Sequence, residues 1–287
     1  MNKLLLLGDE AIAQGAIDAG LSGVFAYPGT PSTEITEYIQ DSKQAKELGI
    51  RSNWAANEKT AMEAALGMSY AGKRAMFCCK HVGINVAADP FMNSAITGAN
   101  GGLIYIAADD PSMHSSQDEQ DSRFYGDFAL IPVLEPSNQQ EAYDMVHYGF
   151  ELSEKFHVPA MMRITTRMAH SRAGVVRKES VKNQNKITLP EKKNQFILLP
   201  ANARVQYREL LAKQEGLIAA SENDGFNKYI DGKDKSIGIV ACGISYNYLM
   251  ENFRDTECPY PVLKISQYPM PEKLLNKLYD ECETILV

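Results

Sequence analysis

The carboxylate of Glu58 has the setting in this 287-residue sequence that most suggests chemistry. Asn57 is a plausible N-cap, so Glu58 lies in the first turn of a predicted helix. The residues on the same face of that helix are all apolar, namely Ala61, Met62, Ala65 and Leu66. Burial on an apolar face disfavours a charged carboxylate and raises its pKa, which suits a group that shares a proton with a weak base.

A simpler interpretation of Glu58 stays open. An acid at the start of a helix is favoured by the helix macrodipole, whatever its function. Glu10 also opens a predicted helix and has Ala13 and Ile17 on its face, so it is a competing candidate. The spacing of apolar residues does not choose between these interpretations.

The turn at residues 27–33 follows one predicted strand and precedes a helix. Thr30 can cap that helix, and Pro31 fits its first position, where no amide hydrogen is needed. A well-made connection between strand and helix accounts for these residues by itself. The functional interpretation is that exposed backbone amides and the Thr30 hydroxyl face a ligand at the strand end.

A second polar segment, residues 80–85, also follows a predicted strand. Gly83 permits a close approach of the backbone to a ligand, because it has no Cβ atom. Lys80 could neutralise an anionic group at the same place. The segment is therefore a second candidate for ligand contact at the ends of the strands.

The loop at residues 109–123 is rich in polar groups and poor in apolar ones. A solvated loop accounts for that composition. The functional interpretation is a loop that faces the substrate, in which Arg123 or His114 would bind a carboxylate. Its serine, histidine and aspartate residues are near neighbours in the chain, so they do not make a convincing catalytic triad.

The spacing of apolar residues predicts strands that alternate with helices. The predicted strands are residues 3–7, 23–27, 51–55, 74–80, 102–108, 132–135 and 159–167. The predicted helices between them are residues 10–19, 32–48, 58–71, 84–97 and 139–156. Short strands that are apolar throughout are typical of strands covered on both faces. We therefore predict an α/β fold with a doubly wound, mostly parallel sheet that binds its ligands at the carboxyl ends of the strands.

The chain is predicted to have three segments. Residues 1–170 form the first α/β domain, and the more polar residues 171–235 form a connector with a helical pattern. A new α/β pattern begins at residue 236, so residues 236–287 are predicted to form a small second domain. A parallel sheet rarely has so few units, and we expect this second domain to be truncated.

Composition and missing motifs exclude several classes of protein. The net charge of −7 disfavours binding to nucleic acid or to an anionic membrane, and the apolar run at residues 4–7 is too short to span a bilayer. The sequence has no dinucleotide-binding glycine motif, P-loop, nucleophile elbow or HExxH zinc motif. Its five cysteines lack CxxC spacing, so we expect a cytoplasmic protein with reduced thiols and no metal or iron–sulfur ligands in this chain.

Several segments resemble one family when they are taken together. They are GDEAIA at residues 8–13, YPGTPS at 27–32, NEK at 57–59, KHVGIN at 80–85 and the polar loop at 109–123. In this order and spacing they are similar to the amino-terminal half of the large subunit of the indolepyruvate:ferredoxin oxidoreductases. That family belongs to the thiamine-diphosphate-dependent 2-oxoacid:ferredoxin oxidoreductases.

The resemblance implies the fold and the site of a thiamine diphosphate enzyme. Residues 1–170 would be a pyrimidine-binding domain, and residues 236–287 would begin a transketolase carboxyl-terminal-like domain. Glu58 would hydrogen-bond the ring nitrogen of the aminopyrimidine and favour the imino tautomer, which takes the thiazolium proton. The implied cofactor-binding residues are Glu58, Tyr27, Pro28, Gly29, Thr30, Gly83 and Asn85. The implied substrate-binding residues are Thr30, Lys80, His114 and Arg123.

The implied reaction is the oxidative decarboxylation of an aryl 2-oxoacid, with the acyl group passing to coenzyme A and the electrons to ferredoxin. The sequence lacks the GDG motif that precedes a magnesium ligand and the CxxCxxC motifs that hold iron–sulfur clusters. We therefore expect Mg²⁺ and 4Fe–4S clusters in other parts of the enzyme, and no activity of this chain alone. The expected partners are the remaining half of the large subunit, a smaller β subunit, ferredoxin, coenzyme A and a second copy in a dimer.

Two different functions stay open beside this one. A pyruvate or 2-oxoglutarate enzyme of the same family would share these motifs, and its loop at residues 109–123 would set the size of the substrate pocket. A non-catalytic scaffold subunit could also keep the fold, although a buried carboxylate without a task is costly to the folded state.

Overall fold

The computed structural model describes residues 3–192 and 194–287. Its strands are β1 Lys3–Leu7, β2 Gly23–Ala26, β3 Arg51–Trp54, β4 Ala75–Lys80, β5 Leu103–Asp109, β6 Val133–Leu134, β7 Ala160–Thr165, β8 Arg172–Val176, β9 Lys228–Ile230, β10 Ile237–Cys242, β11 Val262–Ile265, β12 Gln267–Tyr268 and β13 Thr284–Leu286. Its helices are α1 Gly8–Asp18, α2 Thr33–Asp41, α3 Lys43–Glu47, α4 Glu58–Tyr70, α5 His81–Val86, α6 Ala88–Thr97, α7 Arg123–Ala129, α8 Gln139–Phe156, α9 Thr166–His170, α10 Pro200–Ala212, α11 Gln214–Asn223, α12 Ser245–Glu251 and α13 Glu272–Glu281. The alternation of strands and helices confirms the predicted α/β class.

The largest sheet has the strand order β12-β6-β7-β5-β4-β2-β3. Only β12 is antiparallel to its neighbour, which confirms the prediction of a mostly parallel sheet. After β2 the chain crosses to the edge strand β3 and then returns past β2 to β4. The connections diverge between β2 and β4, so a crevice opens at the carboxyl ends of these two strands.

The central strands are buried between two layers of helices. Successive side chains of a strand face opposite ways. Val24 and Met76 are completely buried in the layer that contains α1, α2 and α8, whereas Phe77 and Tyr105 are buried in the layer that contains α4 and α6. Each such side chain contributes about 1.5–3 kcal/mol to the stability of the fold, so the sheet is a rigid base for the loops at its ends.

β1 does not belong to the parallel sheet, contrary to the sequence-based prediction. It pairs antiparallel with β8 in a separate two-stranded sheet, in which Leu5 is opposite Gly174. Leu6 is buried, but Leu5 is 70% exposed, so only one face of β1 is covered. A run of leucines marks a strand without determining how many of its faces are buried.

The predicted helices are present, with shifted or divided ends. The helix predicted at residues 32–48 breaks at Ser42, whose hydroxyl accepts a hydrogen bond from Ala45 N and caps α3. The helix predicted at residues 84–97 begins earlier and is divided at Ala87. α7 has no counterpart among the predicted helices, because it is short and follows a polar loop without apolar periodicity.

A smaller sheet has the strand order β13-β10-β11-β9. β9 comes from residues 171–235, so the predicted connector supplies a strand in addition to α10 and α11. The smaller sheet joins the larger one beside β6, where β12 pairs with β6 and Glu135 N donates to Ser266 O at 2.7 Å. The division of the chain at residues 170 and 236 stays a prediction.

Candidate cofactor and substrate site

The loops that follow β2 and β4 lie on either side of the crevice between these strands. An added Cβ atom on Gly29, in the first loop, would lie 3.1 Å from the Cβ atom of Lys80, the last residue of β4. The two loops are therefore in contact, as expected for loops after neighbouring parallel strands. Tyr27 and Pro28 of the first loop are exposed, so the crevice opens to the surface there.

The turn after β2 differs in detail from the prediction. α2 begins at Thr33, so Thr30 does not cap it and Pro31 is not its first residue. Thr33 Oγ1 accepts a hydrogen bond from Gly29 N at 3.0 Å, and that amide is therefore not free for a ligand. Thr30 is exposed, and no partner of its hydroxyl lies within residues 3–192 and 194–287. The Gly29 amide is therefore excluded as a ligand contact, whereas the Thr30 hydroxyl stays available.

Glu58 is the first residue of α4, and Asn57 caps it as predicted by accepting a hydrogen bond from Thr60 N at 3.0 Å. The apolar positions of the same stripe, such as Met62, are buried. Glu58 itself is half-buried, contrary to the prediction. The reason is its place at the helix start, where the side chain lies beyond the ends of the strands rather than in the core.

The Glu58 carboxylate lies against Gly83. A Cβ atom on Gly83 would lie 2.7 Å from both Cγ and Oε1 of Glu58, a distance at which one of the two residues would have to move. Burial, followed by the charge of Glu58, raises the pKa of the neighbouring Cys79 thiol. Gly83 therefore leaves the space that the carboxylate occupies at the edge of the crevice.

Neither oxygen of Glu58 has a hydrogen-bond or ion-pair partner among the residues that the structure describes. The neighbouring Lys59 pairs instead with Asp89 at 3.0 Å and with Glu63 at 3.9 Å. A half-buried acid without a cation beside it fits a ligand that offers a ring nitrogen, such as an aminopyrimidine. Glu10, the competing acid, accepts a hydrogen bond from Leu7 N at 2.7 Å and caps its own helix.

The side chains of Lys80 and Asn85 hold the loop that follows β5. Lys80 Nζ donates to Ser115 O. Asn85 accepts a hydrogen bond from the Tyr125 hydroxyl and donates to Gln120 Oε1 at 3.0 Å. A ligand would therefore compete with these contacts for both predicted site residues.

Asp110 anchors the start of the same loop. Its carboxylate accepts hydrogen bonds from Ser115 N and Thr166 Oγ1, each at 2.8 Å, and from the Ser116 hydroxyl. Burial opposes the charged form, but these hydrogen bonds and the charge of Lys80 outweigh it and lower the pKa of Asp110 to about 2. The charged carboxylate therefore stabilises the folded loop.

We expect Asp110→Asn to lower the free energy of unfolding by about 2 kcal/mol at pH 7. The folded pKa is depressed, so the stabilisation is present above the unfolded value of about 3.9 and is lost as the pH falls toward 2. The difference between the proteins should therefore shrink to roughly half by pH 3 in urea unfolding experiments. Asp127→Asn, a change at an exposed position of α7, is the control and should have no such effect. A difference that does not change with pH would contradict the assignment.

A cavity of about 750 Å³ opens beside this loop, between the two sheets. His114 and Arg123, the predicted substrate ligands, both line it, together with Arg167. His114 and Arg167 are exposed and have no ion-pair partner in the described part of the chain. The cavity can therefore accommodate an anionic ligand of moderate size.

Arg123 is held by its neighbours rather than left free in the cavity. Its Nη2 atom pairs with Asp121 Oδ2 at 2.5 Å, and its Nη1 atom lies 3.4 Å from Glu135 Oε2 and 3.2 Å from the Tyr268 hydroxyl. Hydrogen bonding to Asp121 raises the pKa of Arg123, with an opposing effect of burial. A substrate carboxylate would have to compete with these acids for the guanidinium.

Arg163 lines the same cavity and lies between two buried acids. It is 9% exposed, its Nε atom donates to Asp109 Oδ2 at 2.7 Å, and its Nη1 atom donates to Glu135 Oε1. Asp109 and Glu135 are 0% and 4% exposed. This network connects β5, β6 and β7 near their carboxyl ends, at the wall of the cavity.

The family model described as pyruvate flavodoxin/ferredoxin oxidoreductase, thiamine-diphosphate-binding, matches residues 14–208. The match is more than half of the chain and includes Glu58, Gly83 and the loop after β5. The chain belongs to this family.

Relatives in the thiamine-diphosphate-binding family support the resemblance found from the motifs. Indolepyruvate oxidoreductase subunit IorA of Archaeoglobus fulgidus is 43% identical over 99% of this chain, and that of Thermococcus kodakarensis is 42% identical over 99%. The matches cover 46% and 45% of those proteins, so the chain spans about half the length of the curated relatives it matches. The predicted resemblance is confirmed.

A solved structure supports the fold of this family member. A 2-oxoglutarate:ferredoxin oxidoreductase from Magnetococcus marinus, with 2-oxoglutarate, coenzyme A and succinyl-CoA bound, superposes with a TM-score of 0.77 at 18% identity. It matches 99% of this chain and 57% of that chain. No helix in residues 3–192 and 194–287 is both long and apolar enough to cross a membrane.

Arg163 and Glu135, two buried charged residues that pair at this site, were not predicted from the sequence. The available signal was a charged residue within or directly after an apolar strand: Arg163 lies within β7, and Glu135 follows β6. Charged residues at buried strand positions are rare unless they are paired. That rule could have identified both residues, although not their partners.

Proposed function

We propose that this chain is the pyrimidine-binding part of an arylpyruvate:ferredoxin oxidoreductase, which decarboxylates an aryl 2-oxoacid oxidatively to an acyl-CoA. The likeness to subunits named indolepyruvate oxidoreductase, over nearly the whole chain, supports the choice of substrate class. The observation that carries the proposal is the Glu58 carboxylate, which lies against Gly83 at the crevice and has no partner in the described chain.

Glu58 would hold the aminopyrimidine by sharing a proton with its ring nitrogen. Because no cation of the described residues pairs with this carboxylate, none competes for that hydrogen bond. Gly83 would keep the position of the carboxylate clear, since any larger residue there would displace it. When bound, thiamine diphosphate supplies the nucleophilic thiazolium carbon on which decarboxylation of 2-oxoacids depends.

The turn after β2 would border the cofactor on the other side of the crevice through Tyr27, Pro28, Gly29 and Thr30. Thr30 would offer its free hydroxyl to the substrate. His114 would meet the substrate carboxylate from the cavity, because it is exposed there without a partner in the described chain. Lys80, Asn85 and Arg123 would position the loop after β5, which their contacts already hold.

The remaining parts of the enzyme would complete the site. We propose that Mg²⁺ and 4Fe–4S clusters are bound outside this chain, in the rest of the large subunit. That half, a smaller β subunit, ferredoxin, coenzyme A and a second copy in a dimer are the proposed partners, in the cytoplasm. The proposal is consistent with a chain that spans about half the length of its relatives.

A 2-oxoglutarate enzyme is the second candidate. The 2-oxoglutarate synthase subunit KorA of Methanocaldococcus jannaschii is 28% identical over 67% of this chain, a lower and shorter likeness than that of the indolepyruvate subunits. A pyruvate enzyme would need the same cofactor site, and a non-catalytic scaffold would need none. The scaffold explains neither the free carboxylate of Glu58 nor the space left for it by Gly83.

The substrate class is tested by ferredoxin reduction with the chain joined to the rest of its large subunit and the β subunit. We expect kcat/KM for indolepyruvate and phenylpyruvate to exceed that for pyruvate by about 10- to 200-fold. The reason is that the two aryl substrates bury an aryl group in the pocket, whereas pyruvate has none. The comparison substrate is 2-oxoglutarate, a 2-oxoacid that carries a second carboxylate. A preference for 2-oxoglutarate or pyruvate would overturn the arylpyruvate assignment. A finding of neither thiamine diphosphate binding nor turnover of any 2-oxoacid by the assembled enzyme would favour the scaffold.

A further inference from the structure

Three side chains that are far apart in the sequence meet on the side of α1 next to α2 and α9. They are Asp9 of α1, Glu34 of α2 and His170 of α9. One ligand atom from each lies within 4.8 Å of the other two. His170 Nε2 is 3.5 Å from Glu34 Oε1. Two carboxylates and an imidazole thus converge on one small volume.

Asp9 is the most unusual member of this cluster. It is 0% exposed, and neither of its oxygens has a hydrogen-bond partner in the described chain. Glu34 Oε2 is also buried without a partner there. A buried carboxylate beside a second carboxylate is costly unless a cation or a shared proton lies between them.

An acidic pocket gives a cation access to the cluster. A pocket of about 430 Å³ borders Glu34 and is also lined by Glu10, Glu37, Tyr38, Asp41 and Ser42. Several carboxylates in one concave surface raise the local concentration of cations. His170 lines the 750 Å³ cavity, so the cluster borders two solvent-accessible spaces.

We propose that Asp9, Glu34 and His170 bind a divalent transition-metal ion such as Zn²⁺. An imidazole nitrogen with two carboxylate oxygens is a ligand set that Zn²⁺ accepts, whereas Mg²⁺ and Ca²⁺ prefer oxygen ligands alone. Three protein ligands leave one position open to water or to a group in either space. The ion would neutralise the buried carboxylate of Asp9 and join α1, α2 and α9 at the edge of the cavity.

This site shares no residue with the proposed cofactor and substrate site and was not predicted from the sequence. Residues 9, 34 and 170 have no motif spacing, and the sequence predicts no metal ligands in this chain. The folded chain brings them together because α9 packs against α1, and α1 against α2.

Calorimetric titration of the 287-residue chain with ZnCl₂ tests the proposal. We expect one site per chain and a higher melting temperature with Zn²⁺ than without it. His170→Ala and Glu34→Gln should each weaken Zn²⁺ binding at least about tenfold. Glu37→Gln removes the same charge from the same acidic pocket without removing a ligand, so its Zn²⁺ affinity should match that of the unaltered chain.

Asp9→Asn distinguishes the metal from a proton shared by two carboxyl groups. With a metal site, this variant loses the Zn²⁺-dependent rise in melting temperature. With a shared proton, Zn²⁺ has no effect on the unaltered chain, and the proposal is wrong. Zn²⁺ binding that His170→Ala leaves unchanged, or binding of MgCl₂ as tight as that of ZnCl₂, would also overturn it.

Discussion

Glu58→Gln should lower 2-oxoacid-dependent ferredoxin reduction by the assembled enzyme by about 100- to 10,000-fold, the usual contribution of a positioned acid–base group. Glutamine keeps the size of the side chain, but its amide cannot share a proton as a carboxylate does. Glu58 forms no ion pair within the described residues, so the change breaks none there. The loss should therefore appear in kcat at saturating thiamine diphosphate, without a loss of folding.

Glu63→Gln is the matched control for this experiment. It makes the same chemical change in the same helix, at a side chain that is 49% exposed and 3.9 Å from Lys59. Surface pairs of this kind contribute at most about 1 kcal/mol, and activity should be unchanged. If Glu58→Gln and Glu63→Gln retained the same activity at saturating cofactor, Glu58 would have no catalytic role.

Arg163→Met should lower the free energy of unfolding by about 3–5 kcal/mol, the usual cost of removing one partner from a buried ion pair. The substitution keeps an apolar stem but leaves Asp109 and Glu135 without the guanidinium between them. Ser122 N, at 3.0 Å, would still hold Asp109, and Arg123 would still lie near Glu135. These contacts limit the loss, but they do not supply a buried cation between the two acids.

Chemical denaturation of Arg163→Met is best compared with that of Arg254→Met. Arg254 pairs with Glu251 on the surface, and its side chain is 70% exposed. The control should therefore lose less than about 1 kcal/mol. Equal effects of the two substitutions would mean that the network of Arg163 does not stabilise the junction of β5, β6 and β7. A large loss in Arg163→Met alone would establish that it does.

The regular spacing of apolar residues in this sequence determined most of the fold. The strands at β2, β4 and β5 are short, and their residues are apolar except for Lys80 at the end of β4 and Asp109 at the end of β5. The helix at residues 139–156 has the predicted bounds. Asn57 marked the start of α4, so the position of Glu58 at the end of a strand–helix connection followed from local sequence. These features are local because they depend on helix caps and on the periods of strands and helices.

The tertiary structure decided which distant residues meet. It gave β1 an antiparallel partner at residues 172–176, although its leucines resemble those of a buried parallel strand. It placed Arg163 between Asp109 and Glu135, and it brought Asp9 to Glu34 and His170. Such contacts join side chains from separate helices and strands. The number of residues between the partners follows no regular period in the sequence. Only the packing of helices on the twisted sheet fixes these distances, which is why the sequence alone did not reveal them.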